Sequence, residues 1–360
     1  MTYKYLDSKR ISGLSTDVPA ISGGWKELDR TTLGSAGDTI TVSNLPNKPY
    51  YMVLGSTSNG SGGSTQQSLR FNGDGGGTQY GRRHSMDGAS EVANMTSRIP
   101  TGSATGTDSH AYTVSYIANK SDKEKLVISH GVDTVNHATQ INAPSRSECV
   151  GKWINVTDPI SSISIFNPTS GDFQSGSECV VLGYDPEDTH TTNFWEQLAD
   201  VSWSSGSNIS TGTFTPKKYL WVQGWITKPA SQGYISMRVG YNTRDDGTNY
   251  KLRYQMNGAT DGVYPNNTTS YTNEGLWMDA GNSTNTRMIF ANYCIVNIAN
   301  KQKIIMGNNV YTSALGASAP NRIKMNGKWN NTSNQINIID FHGINTGNFT
   351  GGQIKVWGSD

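Results

Sequence analysis

Ala143-Pro144-Ser145-Arg146, followed by Gly151-Lys152-Trp153, returns as Ala319-Pro320-Asn321-Arg322 and Gly327-Lys328-Trp329. Further landmarks fall in the same order on either side. Gly24-Trp25-Lys26-Glu27-Leu28 is answered by Phe194-Trp195-Glu196-Gln197-Leu198, and Leu45-Pro46-Asn47-Lys48-Pro49-Tyr50 by Phe214-Thr215-Pro216-Lys217-Lys218-Tyr219. Phe71-Asn72 through Tyr80, Arg83 and Met86-Asp87-Gly88 matches Tyr241-Asn242 through Tyr250, Arg253 and Met256-Asn257-Gly258. This alignment sets Asp74 opposite Arg244 and Asp87 opposite Asn257. The chain is a tandem duplication. A repeat of 20–50 residues would mean a solenoid or propeller; a unit of roughly 165–170 residues is large enough to bury its own core. The reading is a first domain at 24–184, a polar linker at 185–193 and a second domain at 194–360.

Within each copy the strand signals dominate. Lys218-Tyr219-Leu220-Trp221-Val222-Gln223-Gly224-Trp225-Ile226 is aromatic and β-branched, and Tyr234 to Tyr241 alternates with period two. Lys125-Leu126-Val127-Ile128 and Lys303-Ile304-Ile305-Met306 read as one equivalent central strand. Asn-Gly and Asp-Gly steps at Asn59, Asp87, Asp246, Asn257 and Asn326 supply the positive φ of tight hairpins. The strongest helical stretch, Phe194 to Val201, is one short run. The expected fold is all-β: two tandem jelly-roll-like antiparallel sandwiches. Residues 1–23 lie outside the repeat and carry few core-forming side chains. They read as an extended arm that docks on the domains or on a neighbouring subunit, with Tyr5, Lys9 and Arg10 as assembly contacts.

The composition agrees. In 360 residues there are 40 glycines, 34% hydrophobic and only 16% charged residues, below the roughly 25% of ordinary soluble domains. Lys+Arg is 29 against 28 Asp+Glu, a net charge of +1, so the electrostatic footprint of nucleic-acid binding is missing. No apolar run approaches the roughly 20 residues of a membrane span, and the first residues lack the apolar stretch of a secretory signal. Cys149, Cys179 and Cys294 are too few for a disulfide framework; Cys149 and Cys179 are read as buried thiols, with pairing the alternative.

The six histidines form no metal-ligand spacing, and no nucleophile elbow, Walker loop or dinucleotide fingerprint stands in its proper context. No cofactor and no enzymatic activity are expected. Gly73-Asp74-Gly75-Gly76-Gly77 reads as a hairpin tip. Asp245-Asp246-Gly247-Thr248-Asn249 offers calcium-type oxygen ligands, with an Asx turn as the plainer reading. Arg83, Arg253, Arg146 and Arg322 recur in both copies and read as structural braces. Trp221, Trp225, Trp277 and Tyr250 are the aromatic candidates for stacking on a glycan.

The opening segment Lys4 to Asp17, the block Tyr241-Asn242 to Asn257-Gly258 and the closing run Ile338 to Val356-Trp357-Gly358 resemble virion structural and fibre-like proteins of marine phages and archaeal viruses. That resemblance implies a non-enzymatic virion or extracellular-particle protein. It would assemble as a homo-oligomer with other virion proteins, as capsid, surface or fibre component. Two alternatives accompany it: a receptor-binding module for host surface glycans, and a cellular surface-layer or filament protein. Neither nucleic acid nor membrane insertion enters any of these readings.

Overall fold

The structure, a computed structural model, describes residues 21–22, 24–60, 64–104, 106, 108–134, 142–190, 192–228, 233–265, 272–279, 286–312, 319–344 and 348–360. The expected arm contacts Tyr5, Lys9 and Arg10 lie outside them.

The first half contains β1 (Ile21–Ser22), β2 (Lys26–Thr32), β3 (Thr39–Val42), β4 (Tyr50–Ser58), β5 (Thr65–Phe71), β6 (Tyr80–Met86), β7 (Val92–Thr96), β8 (Ile99–Ala104), β9 (His110–Ala118), β10 (Lys125–Asp133), β11 (Ser145–Trp153), β12 (Ile163–Phe166) and β13 (Glu178–Tyr184). After β14 (Thr189–His190), the second half contains β15 (Glu196–Trp203), β16 (Asn208–Ser210), β17 (Tyr219–Lys228), β18 (Tyr234–Tyr241), β19 (Thr243–Arg244), β20 (Tyr250–Met256), β21 (Gly262–Tyr264), β22 (Leu276–Trp277), β23 (Arg287–Val296), β24 (Lys303–Tyr311), β25 (Asn321–Trp329), β26 (Ile338–Ile344) and β27 (Gly351–Ser359). No described residue is helical, and the Phe194–Val201 stretch enters strand β15.

Each half is an antiparallel sandwich. An eight-stranded sheet ordered β2-β13-β4-β9-β10-β11-β6-β7 faces a four-stranded sheet β3-β12-β5-β8. The second half repeats the order as β15-β27-β17-β23-β24-β25-β20-β21, against β16-β26-β18-β19 with β22 also paired to β18. The duplication therefore holds strand for strand in the large sheet; in the small sheet β22 stands on β18 where β8 stands on β5, and β19 has no counterpart among the described residues. The first core is built on Val53, Phe71, Tyr80, Trp153, Ile165 and Val181, the second on Val222, Tyr250, Tyr293, Trp329, Phe341 and Val356.

Buried polar groups are duplicated with the cores. Trp153 Nε1 donates to Asp74 Oδ2 at 2.9 Å, and Trp329 Nε1 to Asp245 Oδ2 at 2.6 Å. Lys125 Nζ reaches the carbonyls of Lys123 and Asn155, as Lys303 Nζ reaches those of Lys301 and Asn331. Asn119 and Asn297 each accept from a buried backbone N–H, of Ile160 and Ile336. Asp74 is thus the counterpart of Asp245, which corrects its alignment with Arg244. Sheet register makes the reason plain. Ile163 pairs with Phe71 and its equivalent Ile339 pairs with Val239, so the second copy holds extra residues in the turn that follows.

Turn assignments also change. Strands β5 and β6 belong to different sheets, so Gly73–Gly77 is a sheet-to-sheet crossing rather than a hairpin tip. Asp87-Gly88 and Asn257-Gly258 do take positive φ at both residues, 51° and 74°, then 52° and 81°, as two-residue hairpins require. Asn326-Gly327, by contrast, lies inside β25, and neither Asn59-Gly60 nor Asp246-Gly247 takes positive φ.

The halves are packed together. The 185–193 segment is tied to the first half by Lys48, which pairs with Asp185 and Asp188, and by β14 on β1. A third apolar cluster joins Leu54, Tyr112, Val114 and Val180 to Tyr219, Ile304 and Met306 across the outer faces of the two large sheets. Tyr112 stacks on Tyr219 with ring centroids 5.9 Å apart. Around it run polar ties: Arg146 to Asp261, Lys324 to Glu148, Lys218 to Glu178, and Asn326 Nδ2 to the carbonyls of Gly131 and Ser145.

Candidate functional site

Alternation along β17 sends Leu220, Val222 and Ile226 into the core and Tyr219, Trp221, Gln223 and Trp225 to the outer face. Neighbouring strands do the same, so the outer face is built in cross-strand rows. At the domain junction lies the row of Tyr219, Val296 and Ile304, which is buried. Next come Trp357, Trp221 and Cys294, then Lys355, Gln223, Asn292, Asn308 and Lys324, then Gln353, Trp225, Phe290 and Val310. The farther rows emerge into solvent: Trp225 is 37% exposed and Phe290 43%.

The arrangement is a row of amides between two aromatic rails. Trp221 and Trp357 lie 5.1 Å apart by ring centroid, and Trp195 continues the rail at 5.9 Å from Trp221. Trp225 and Phe290 form the opposite rail as cross-strand partners. Rows on one face are two residues apart, about 6.8 Å, so the rails stand roughly 13 Å apart. Asn292 Oδ1 accepts from Trp221 Nε1 at 2.7 Å and from Gln223 Nε2 at 3.0 Å. These bonds fix the tilt of the indole and aim the amides. Asp200 holds the edge of the floor, accepting from Lys355 at 3.0 Å and Gln353 at 2.8 Å. The charged groups here are paired and the centre of the platform is neutral.

Two of the four expected glycan-stacking aromatics, Trp221 and Trp225, sit on this face; the other two do not. Tyr250 is fully buried, its hydroxyl bonded to the Val239 carbonyl at 2.7 Å. Trp277 is 9% exposed, enclosed by Tyr234, Tyr254 and Tyr264, with its indole on Glu274. Both are corrected to core positions, since neither ring offers a free face. Gln223, Asn292, Asn308 and Phe290 were not singled out from sequence. Their signal was available in the period-two pattern of β23 and β24, but it needs the strand pairing to bring them beside β17.

The arginine pairs divide. Arg146 bridges Asp261 and Glu148 from a 4% exposed side chain, and Arg253 reaches the Pro144 carbonyl at 2.9 Å and Asp87 at 3.2 Å. Both tie one domain to the other. Arg83 meets Glu91 in an exposed pair, and the Arg322 side chain is exposed, so a bracing role for Arg322 is corrected. The Asp245 carboxylate receives Trp329, Asn249 and the Gly247 N–H, while Asp246 is taken up by Arg238 and Arg244. Neither carboxylate at the expected calcium loop is left without donors. Cys149, Cys179 and Cys294 are all free thiols, and burial pushes Cys149 up to about 12.

Among the described residues, an acid–base pair does face a hollow: His130 Nδ1 lies 3.9 Å from Glu148 Oε1, and burial pushes the His130 imidazole below its ordinary range. Burial, then the Arg238 and Arg244 charges, push His342 down to about 4, leaving it neutral near pH 7. A small hollow of about 180 Å³ at the domain junction is lined by Arg83, His84, Glu91, His130, Glu148 and Lys324. There burial works to raise Glu148, but Lys324 and Arg146 outweigh it and hold its carboxyl below the usual range.

No family model and no curated protein matches the chain. Solved structures similar to it include domains LG4-5 of the mouse laminin alpha1 chain, at 9% identity over 92% of this chain and 89% of that one, TM-score 0.18. A two-domain fragment of extended-synaptotagmin 2 aligns at 6% identity over 83% of this chain and 94% of its own, TM-score 0.12. The translocator domain of autotransporter NalP from Neisseria meningitidis aligns at 11% over 81% and 88%, TM-score 0.11. Likeness at this level carries no argument about function.

Proposed function

We propose that the protein is a non-enzymatic glycan-recognition module, with its ligand lying across the outer face of the second domain's large sheet. The observation that carries this reading is the neutral amide row Gln223–Asn292–Asn308 between the rails of Trp221 and of Trp225 with Phe290. An indole face covers the apolar face of a pyranose, and fixed amides exchange paired hydrogen bonds with vicinal hydroxyls. A shallow, open face with two rails suits an extended, uncharged oligosaccharide rather than a small molecule, which needs enclosure. A glycan microarray probed with wild type and with Trp225→Ala tests it. Binding to neutral oligosaccharides by wild type, lost in the variant, is the expected result; a blank array for wild type overturns the reading.

A second reading, the multicopy particle component to which the sequence resemblance points, is favoured by a different observation. Among the described residues the first domain carries a broad bare apolar face, and soluble monomers rarely leave such patches open. Near-zero net charge limits repulsion between packed copies. Finding the protein in purified virions, rather than in cell envelopes, would separate a viral particle from a cellular surface layer.

A further inference from the structure

One end of the first domain's outer face is used and the other is bare among the described residues. Leu54, Val114, Tyr112 and Val132 meet the second domain. Towards the other end of the same strands, Tyr50, Tyr116, Leu126, Ile128 and Val150 are 47%, 36%, 56%, 53% and 48% exposed. They are contiguous by pairing: Tyr50–Ala118–Leu126 form one row, and Tyr116–Ile128–Val150 the next. Two hollows flank the ridge made by Leu126 and Ile128. One of about 320 Å³ is lined by Trp25, Tyr50 and Tyr116, the other of about 520 Å³ by Met95, Val150 and the Lys152 stem.

The duplication says what this surface is for. The strand-equivalent positions in the second domain are Tyr219, Val296, Ile304 and Met306, and there they are buried against the first domain. The fold already uses this end of this face as a docking surface within the chain, there against the opposite end of the same face in another copy of the sandwich. In the first domain no described residue covers the same end, though it is continuous with the established interface. Its rim is balanced: Lys152 is held by Glu124 at 2.9 Å and Arg83 by Glu91 at 2.8 Å. A second identical face therefore meets no unpaired like charge. A ridge flanked by hollows can also interlock with its own copy, as an isologous contact demands.

We propose that a second copy of this chain docks here, first domain to first domain across a two-fold axis, each Leu126–Ile128 ridge seated in a hollow of the other. The proposal deepens the particle-component reading and is separate from the glycan face on the second domain. The test is sedimentation equilibrium of the full chain, wild type against Leu126→Asp/Ile128→Asp, with Phe290→Ser as a control on the second domain. Both substituted side chains are exposed, so an unchanged melting curve certifies the fold of the variant. The expected result is a wild-type dimer, a dissociation constant raised about thirtyfold or more in the double variant, as for loss of a central hot spot, and no change in the control. A wild type that self-associates and a double variant that does so equally well would overturn this face while leaving multicopy assembly standing. A wild type that is monomeric at every concentration would overturn both. A monomer that binds phosphatidylcholine vesicles through Leu126 would overturn the second-copy assignment in favour of a lipid surface.

Discussion

Arg146→Ala removes one partner of a buried ion pair between the domains. Arg146 Nη2 lies 2.6 Å from Asp261 Oδ1 and its Nε 3.1 Å from Oδ2, with side-chain exposures of 4% and 1%. Glu148 shares the guanidinium at 2.8 Å but keeps Lys324 when Arg146 is lost. Asp261 keeps no such substitute among the described residues, and a stranded buried charge costs about 3–5 kcal/mol. Unfolding entropy of about 2.1 cal/mol/K per residue gives roughly 0.75 kcal/mol/K for 360 residues. If the shared apolar cluster makes the two sandwiches melt as one unit, the variant melts about 4–7 °C lower. Arg146→Met/Asp261→Leu, which removes both charges and keeps the volume, recovers most of the loss. Differential scanning calorimetry with a urea titration reads both quantities. A loss below about 1 kcal/mol for Arg146→Ala, or single-variant losses that simply add in the double variant, would refute the coupling.

Three further outcomes follow from the geometry. Gly131→Ala places a Cβ 2.4 Å from the Thr101 carbonyl oxygen, where backbone must shift, so denaturant unfolding should register a loss of about 1–3 kcal/mol. Asp74→Ala and Asp245→Ala each strand a buried indole N–H, and each should lower stability by about 1–3 kcal/mol by the same measurement; a large loss in one copy only would contradict their equivalence. Burial lowers Lys328 to about 7 and Lys303 to about 8, below the 10.4 of an unfolded lysine. Between those values the unfolded chain binds more protons, so stability should rise from pH 7 towards pH 9, and Lys328→Met should flatten that slope in urea titrations across the range.

The sandwich class and the matching of the two copies were legible because turn residues and cores repeat together: Tyr80 with Tyr250, Trp153 with Trp329, Asp87 with Asn257 all recur in matched roles. Asp74 is misaligned because Phe71 and Tyr241 stand at equal sequence spacing from Tyr80 and Tyr250, whereas the structural counterpart of Phe71 is Val239 and the turn that follows is longer in the second copy. The domain contact was not legible. Alternation marks Tyr112, Val114 and Ile304 as one face of a strand, and nothing local separates an outer face covered by a neighbour from one left bare. The same limit explains the aromatic candidates. Trp225 and Trp277 look alike in sequence, yet one stands on the solvent side of a central strand and the other beneath Tyr234 and Tyr264. Only pairing assembles Gln223, Asn292 and Asn308 into one row.

The most direct test of the account is isothermal titration of neutral oligosaccharides into wild type, Trp225→Ala and Gln223→Ala/Asn292→Ala, with Trp277→Phe as a core control. Wild type and Trp277→Phe should bind alike, Trp225→Ala should lose about tenfold for an aromatic contact of roughly 1.5 kcal/mol, and the amide variant should lose binding heat altogether. Binding that survives both face variants unchanged, or no heat with wild type for any neutral oligosaccharide, would contradict it.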